Sequence, residues 1–394
     1  LLEMEINGVN IDTDLLENYS SDLTKQVLNL EQDIYDIAGE KFNIASPKQL
    51  GEILFDKMTL SEKPKKTKSG QFSTSESELI KLKGKHKIID SVLLFRTYQK
   101  LLSTYLNALP LLVNVNDNKI HTNFNQTTTN TGRLSSSHPN LQNIPIRKDS
   151  GKDVRKAFIP SSREHMLMSA DYSQIELRLI AELSQEDNMM EAFLNGEDIH
   201  ISTASKVFKV DLNKVTDEMR TDAKTVNFGI IYGVSAFGLS EQSSLNRKEA
   251  SELINNYFTT YPKLKLFIDN QINFARENGY VRTVLGRRRY LRNINSRNSF
   301  IRGHDERNSV NMPIQGSAAD IIKLAMIKIH DIFKKDSLIS KMVLQVHDEL
   351  VFDVHQSEKE VVFKIVKENM ENAYPTRIPL KVDITFGRNW LEAH

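Results

Sequence analysis

The chain has 394 residues, too many for one ordinary core, so two or three packed subdomains are expected. Hydrophobic residues make up 39% and charged residues 26%, a globular balance, and a formal net charge of +1 excludes a chain-wide basic signature of nucleic-acid binding. The absence of cysteine excludes disulfide frameworks and thiolate metal sites, and no apolar run is long enough for a membrane span or laid out as a signal peptide.

The first residues, LLEMEINGV, read as the middle of an apolar helix, as expected of a piece of a longer protein. After a turn at Asn7 and Gly8, Thr13 is placed to cap a helix in which Leu16, Tyr19, Leu23, Val27, Leu30, Ile34 and Ile37 recur at three and four. An antiparallel partner is expected from Val92 to Leu109, with Leu94, Tyr98, Leu101, Tyr105 and Leu109 along one stripe, and Ser46–Pro47 starts a shorter helix between them. The loop from Ser61 to Ser77, SEKPKKTKSGQFSTSES, has no apolar period. It suits either a solvated linker or a basic tip closing over a charged polymer.

Positive charge is concentrated in two stretches. Lys63 to Lys87 carries eight lysines against two glutamates, and Arg282 to Arg307 eight arginines against Asp305 and Glu306, leaving +6 in each. Solvated faces commonly look like this, but focused patches on a near-neutral chain also suit a phosphate backbone.

Short strands are expected between Leu111 and Asn123. The stretch TGRLSSSHPNLQNIP, Thr131 to Pro145, is dense in turn formers and small polar groups around Arg133, Gln142 and Asn143. Such groups are costly to bury alone and make better donors to groove edges and sugars. His165 to Ala170 reads as a strand ending at Asp171, followed by a helix, YSQIELRLIAEL, with Ile175, Leu179 and Leu183 inward and Glu176 in its first turn. A carboxylate where strand turns into helix suits a metal ligand, although a capping aspartate is the commoner occupant of such a place.

In RTDAKTVNFGIIYG, Arg220, Lys224, Phe228 and Tyr232 recur at intervals of four, which places them on one helix face about 18 Å long. The order cation, cation, aromatic, aromatic matches a nucleoside triphosphate lying along the helix, phosphates to the cations and sugar and base to the rings. Gly229 and Gly233 would leave room beside those rings for a base or a template backbone. An amphipathic helix with two solvated cations and two core aromatics fits the same spacing. Further on, Val343 to Val346 and Leu350 to Val354 read as a tight hairpin with Asp348 and Glu349 at its tip, next to His347. Repulsion between adjacent carboxylates there is readily relieved by a cation.

These motifs carry a resemblance. ADYSQIELR, RTDAKTVNFGIIYG and QVHDELVF in this order, with TGRLSSSHPNLQNIP ahead and NMPIQGSAADI between the last two, closely resemble the family A DNA polymerases, and the resemblance covers essentially the whole chain. It implies an α+β right-hand fold: a thumb over residues 1–110, a palm with an antiparallel sheet over 111–180 and 308–394, and helical fingers over 181–307. The implied activity is template-directed DNA synthesis from dNTPs on primer–template DNA by a monomer, with two Mg²⁺ ions for which Mn²⁺ can substitute.

In that resemblance Asp171, Asp348 and the Tyr172 carbonyl are metal ligands. Arg220 and Lys224 grip phosphates, with Lys224 as the acid for pyrophosphate, and His200 is a further phosphate contact, although alone it would pass for a surface histidine. Glu176 with Tyr232 blocks a 2′-hydroxyl, and Phe228 discriminates against dideoxynucleotides. Arg133, Arg307, Asn311, Gln315 and His347 touch primer and template, and Glu349 lies near the primer end in a less essential role. Asn125 departs from the histidine that many relatives carry before Gln126. No segment resembles a 3′→5′ exonuclease or 5′ nuclease, so no proofreading is expected from this chain. The expected setting is the bacterial cytoplasm at the nucleoid, with a phage or organellar source left open. A single-subunit RNA polymerase is the nearest rival, opposed by Glu176, which leaves no room for ribose; a noncatalytic DNA-binding module is the other, opposed by the intact carboxylates and cations.

Overall fold

The computed structural model describes residues 1–145, 149–241, 243 and 245–394. The chain forms two compact units, one of Gly8–His121, Asn143–Ser161 and Gly387–His394, the other of Leu1–Asn7, Thr122–Gln142 and Ser162–Phe386.

In the first unit a 26-residue helix, Thr13–Ala38, buries Leu16, Leu23, Val27 and Ile34. Its cap is Asp12, whose side chain accepts from Leu15 N at 2.9 Å, so Thr13 is the first helical residue and not the cap. Both residues are cap formers; the extended backbone at Asp12 decides between them. Gly39, at φ 75°, ends the helix in the left-handed conformation that suits glycine. The partner helix runs from Lys87 to Leu101 and continues as a π-type turn over Leu102–Leu106. Ile88, Val92 and Phe95 are buried, as are Leu101, Tyr105 and Leu109 of the stripe drawn from the sequence, while Leu94 of that stripe is exposed.

Ser46 caps the helix Pro47–Gly51 through Gln49 N. The basic loop is pinned and not a free linker: Lys66 bridges to Phe72, whose ring lies 5.3 Å from that of Phe55, and Thr74 accepts from Arg96. Of the strands expected between Leu111 and Asn123, Lys119–Ile120 forms and Pro110–Leu112 is instead a 3₁₀ turn with Leu111 exposed. Lys119–Ile120 pairs with Val9–Ile11, which pairs in turn with Phe158–Ile159. Trp390 is fully buried against Phe158, with the Arg155 guanidinium 3.9 Å from its ring centre.

The second unit is built on a four-stranded sheet in the order Val382–Gly387, His165–Tyr172, Glu349–His355, Lys341–Val346. Leu350, Val351, Phe352 and Val354 are fully buried on both faces, as near-continuous apolar strands require. The hairpin pairs Glu349 with Val346, so only His347 and Asp348 form the turn and Glu349 already belongs to the strand. His347 takes φ 56°, a conformation that tight reversal demands and that histidine tolerates better than most side chains.

Helices surround this sheet. The longest, Ser299–Lys335, buries Met312, Ile314, Ala318, Ile321 and Ala325 and carries Pro313 internally. Helices Ile175–Ser184, Asp187–Leu194, Ile199–Phe208, Asp217–Ile231, Arg247–Thr260 and Pro262–Asn278 precede it, with the hairpin Tyr280–Arg282 and Arg288–Tyr290 between. The fold is α+β, as the resemblance implies. Among the described residues no helix is long and apolar enough to cross a membrane.

Candidate active site

Cross-strand register assembles the acidic end of the sheet. Asp171 sits directly opposite Glu349, and Tyr172 N donates to Asp348 O at 3.2 Å, so the two aspartates lie at the same end of adjacent strands. Asp171 is not the helix cap; Gln174 holds that position. Glu349 faces inward, 3% exposed, and accepts from Ser169 Oγ at 2.7 Å. The Tyr172 phenol is buried and donates to Met370 O at 2.7 Å, which fixes the backbone beside Asp171. Burial pushes the Asp348 carboxyl above its ordinary range, against the opposing pull of Arg133 and His347.

Arg133 joins this end to its surroundings. Its Nη2 donates to Glu176 Oε1 at 2.7 Å and lies 3.7 Å from Asp348 Oδ1. Glu176 is 6% exposed and accepts a second bond, at 3.1 Å, from the Tyr232 hydroxyl, which accepts in turn from Gln315 Nε2 at 3.1 Å. Burial raises the Glu176 carboxyl; Arg133 opposes that and Asp348 adds to it. The turn carrying Arg133 is itself anchored: Lys323 Nζ donates to Gly132 O, and Thr129 Oγ1 donates to Arg133 O at 2.6 Å. Gln142, expected to face a ligand, is buried and spends its amide on Gln345 O and Oε1 at 3.1 and 3.0 Å.

The stripe helix runs from Asp217 to Ile231, capped by Thr216, whose hydroxyl accepts from Met219 N. Tyr232 is therefore just past its end, and Gly233, at φ 67°, turns the chain away. The glycines do not leave open space: a Cβ on Gly229 would meet Val234 at 2.6 Å, and one on Gly233 would meet Arg307 at 2.5 Å. Arg220 is not a free cation, since its Nη2 and Nε donate to Asp198 Oδ2 at 2.8 and 3.1 Å. Burial works to raise the Asp198 carboxyl, but Arg220 and the backbone N–H groups of Ile201 and His200 outweigh it and hold it low. Lys224 is exposed on the same helix. His200 is 2% exposed, not the surface histidine its sequence context suggests, and its ring centre lies 5.8 Å from that of Phe228.

Contacts thus bring together Asp171, Tyr172, Asp348, Glu349, Arg133, Glu176, Tyr232 and Gln315 in one group, and in another Arg220 and Phe228, on the same helix as Lys224, with His200 of the neighbouring helix Ile199–Phe208. Arg307 packs on Gly233, Asn311 lies one helical turn ahead of Gln315, and His347 O accepts from Gln345 Nε2 at 2.6 Å. Sequence reasoning missed Asp198, Thr203, Asn227 and Tyr257, which build the floor beneath His200.

Two aspartates at neighbouring strand ends are thus linked, through Arg133, Glu176 and Tyr232, to a helix that carries arginine, lysine and aromatic residues in series. The model of DNA polymerase family A matches residues 13–392, and the chain belongs to that family. It is 50% identical over its full length to a DNA polymerase I of Caldicellulosiruptor bescii and 48% identical to one of Geobacillus stearothermophilus, covering 46% and 45% of those proteins. The chain therefore spans about half the length of these relatives. Among solved structures, the POL domain of Pol1 from M. smegmatis, in complex with DNA primer-template and dNTP, superposes with a TM-score of 0.94 at 42% identity, covering all of this chain and 69% of that one.

Proposed function

We propose that this chain synthesises DNA on a template, adding dNTPs to a primer 3′-hydroxyl. The observation that carries this is the Tyr232–Glu176 hydrogen bond, which with Arg133 ties the aromatic end of the stripe helix to the acidic end of the sheet. A triphosphate along that helix meets Arg220 and Lys224 with its phosphates and Phe228 with its sugar, while Glu176 fills the space a 2′-hydroxyl would need. The primer oxygen bonds to the α-phosphorus, the bond to the bridging oxygen breaks, and the hydroxyl proton passes to water. Lys224 supplies a proton to the departing pyrophosphate.

The residues suit Mg²⁺. The donors are all oxygen, and Asp348 already draws on a cation in Arg133. Among the described residues no three His, Asp or Glu side chains gather to hold a metal alone, which fits an ion completed by substrate phosphates. Asp171, Asp348 and the Tyr172 carbonyl would hold two Mg²⁺ ions, or Mn²⁺ in their place; when bound, these make the primer hydroxyl more acidic and offset charge on the phosphates.

In the right-hand division, residues 1–110 act as thumb, 111–180 and 308–394 as palm and 181–307 as fingers. Arg307, Asn311, Gln315 and His347 face primer and template, and Glu349 supports the primer end. In this reading the chain works as a monomer on nucleoid DNA in the bacterial cytoplasm. Extension of a labelled primer with Mg²⁺, comparing dNTPs, rNTPs and no nucleotide, tests this beside Asp171→Ala. Extension with dNTPs alone, abolished in the variant, is expected; extension by the variant at the native rate refutes the metal assignment.

A further inference from the structure

Asn227 lies inside the stripe helix yet is 0% exposed, at the centre of a polar cluster linking three helices. Its Nδ2 lies 3.0 Å from His200 Nδ1 and 3.2 Å from Thr203 Oγ1. Its Oδ1 accepts from the Tyr257 hydroxyl at 2.9 Å and from Thr203 Oγ1 at 3.3 Å, and Thr203 meets the Tyr261 hydroxyl at 3.0 Å.

Hydrogen-bond accounting fixes which way the amide points. Tyr257 is 1% exposed, and among the described residues Asn227 is its only hydrogen-bond partner. A buried phenol must give its hydrogen to an acceptor or forfeit a bond that is expensive to leave unmade. Rotating the Asn227 amide would set an N–H₂ donor against that phenol and leave the O–H with no acceptor. Oδ1 therefore faces Tyr257 and Nδ2 faces His200. An N–H₂ group can only donate, so His200 Nδ1 must carry the lone pair.

We infer that Asn227 is a positioning residue that fixes His200 as the neutral tautomer protonated at Nε2, presenting a single uncharged N–H donor to a nucleotide phosphate. The ring's second nitrogen has no protein partner among the described residues, as a donor reserved for a ligand requires. The phosphate end of this inference rests on the proposed function; the tautomer does not. The groups facing the imidazole agree with a neutral ring. Burial pushes its pKa down to about 4, and Lys224 and Arg220 push the same way, outweighing Asp198. Tyr257, itself driven far up by burial, stays a donor throughout. A neutral donor has a use here: it bonds a phosphate oxygen without adding a third fixed positive charge beside Arg220 and Lys224, so product pyrophosphate is held less tightly.

Nitrogen-15 spectra of the histidine side chains, with His200 assigned by comparison with His200→Gln, test the tautomer in the native chain. From pH 6 to 8, His200 is expected to show a lone-pair nitrogen at Nδ1 and a protonated Nε2, with no titration. A proton on Nδ1, or a charged ring at pH 7, overturns the inference. Asn227→Asp replaces the donor with an acceptor and is expected to move the proton to Nδ1 or charge the ring; an unchanged His200 signal in a folded variant also overturns it. For the phosphate contact, His200→Gln keeps an N–H near the Nε2 position and His200→Leu does not. KM for dNTP is expected to rise about tenfold in the leucine variant and less than threefold in the glutamine variant, with kcat changed less. Equal KM values with the Nε2 tautomer in place refute the phosphate role and leave the tautomer standing.

Discussion

Removing the His200 imidazole is expected to change how folding stability responds to acid. In the folded chain the ring's pKa is lowered from 6.5 to about 4, chiefly by burial. Above pH 6.5 the ring is neutral whether the chain is folded or not, so it has no influence on the balance. Between pH 6.5 and 4 the unfolded chain takes up a proton that the folded chain refuses, and stability falls as the pH drops. The full window is worth about 3 kcal/mol, of which about 2 kcal/mol is lost by pH 5. His200→Gln removes the titration, and whatever packing it costs is the same at both pH values. Urea unfolding followed by circular dichroism at pH 7.5 and 5.0 isolates the effect as a difference of differences. Fluorescence would serve less well, since the single tryptophan, Trp390, belongs to the other compact unit. Native protein is expected to lose about 2 kcal/mol more than the variant between the two pH values. Equal losses would mean that the imidazole protonates freely in the fold, and the burial argument would fall.

Four further outcomes are expected. Asp171→Ala and Asp348→Asn each lower kcat at least ~10³-fold in single-nucleotide extension with the circular dichroism spectrum kept; residual activity within tenfold of native would place the chemistry elsewhere. Glu176→Ala, which empties the space beside Tyr232, lowers the preference for dNTP over rNTP by roughly 10–100-fold in competing extensions. Phe228→Tyr raises dideoxynucleotide incorporation, read as chain termination on a sequencing gel, because a phenol supplies the hydrogen bond that a missing 3′-hydroxyl withdraws. Asp320→Ala destabilises the second unit by about 2–4 kcal/mol in urea unfolding. Asp320 is 4% exposed and accepts from Thr283 Oγ1 at 2.7 Å and Arg287 Nη2 at 2.8 Å, so its loss leaves the Thr283 hydroxyl without its acceptor and Arg287 without its counter-ion.

What was legible in the sequence was whatever depends on neighbours along the chain. Asp171 at the end of an apolar strand, the reversal at His347 and Asp348, and the helix through Arg220, Lys224 and Phe228 all follow from local period and turn chemistry. Where the fold differs, what distant segments cover decided the outcome. Gln142 looks like a surface donor until Gln345, more than two hundred positions later, takes both its bonds. Leu94 shares its stripe with the buried Leu101, Tyr105 and Leu109 yet is exposed, because a local period does not say which residues of a stripe a partner covers. Asn227 was findable. It follows Ala223 by four and precedes Ile230 by three on the buried face of its helix, and a lone amide on such a face signals a buried partner.

Arg133 explains why the two ends of the site belong to one device. Glu176 and Asp348 both sit where burial works against their charged forms, and Arg133 is the cation that opposes this for each. Its guanidinium nevertheless keeps one account open: Nε is buried and has no hydrogen-bond partner among the described residues. A buried donor in that state costs about 1–3 kcal/mol, and proteins seldom carry such a cost without use. Lys323 and Thr129 hold the backbone of the turn beneath it, and Glu176 holds the guanidinium itself. An acceptor brought to Nε does relieve it, and under the proposed function a primer sugar or base-edge oxygen would be such an acceptor. Primer binding would then be favoured by the same residue that draws both carboxyls toward their charged forms against the burial that raises them.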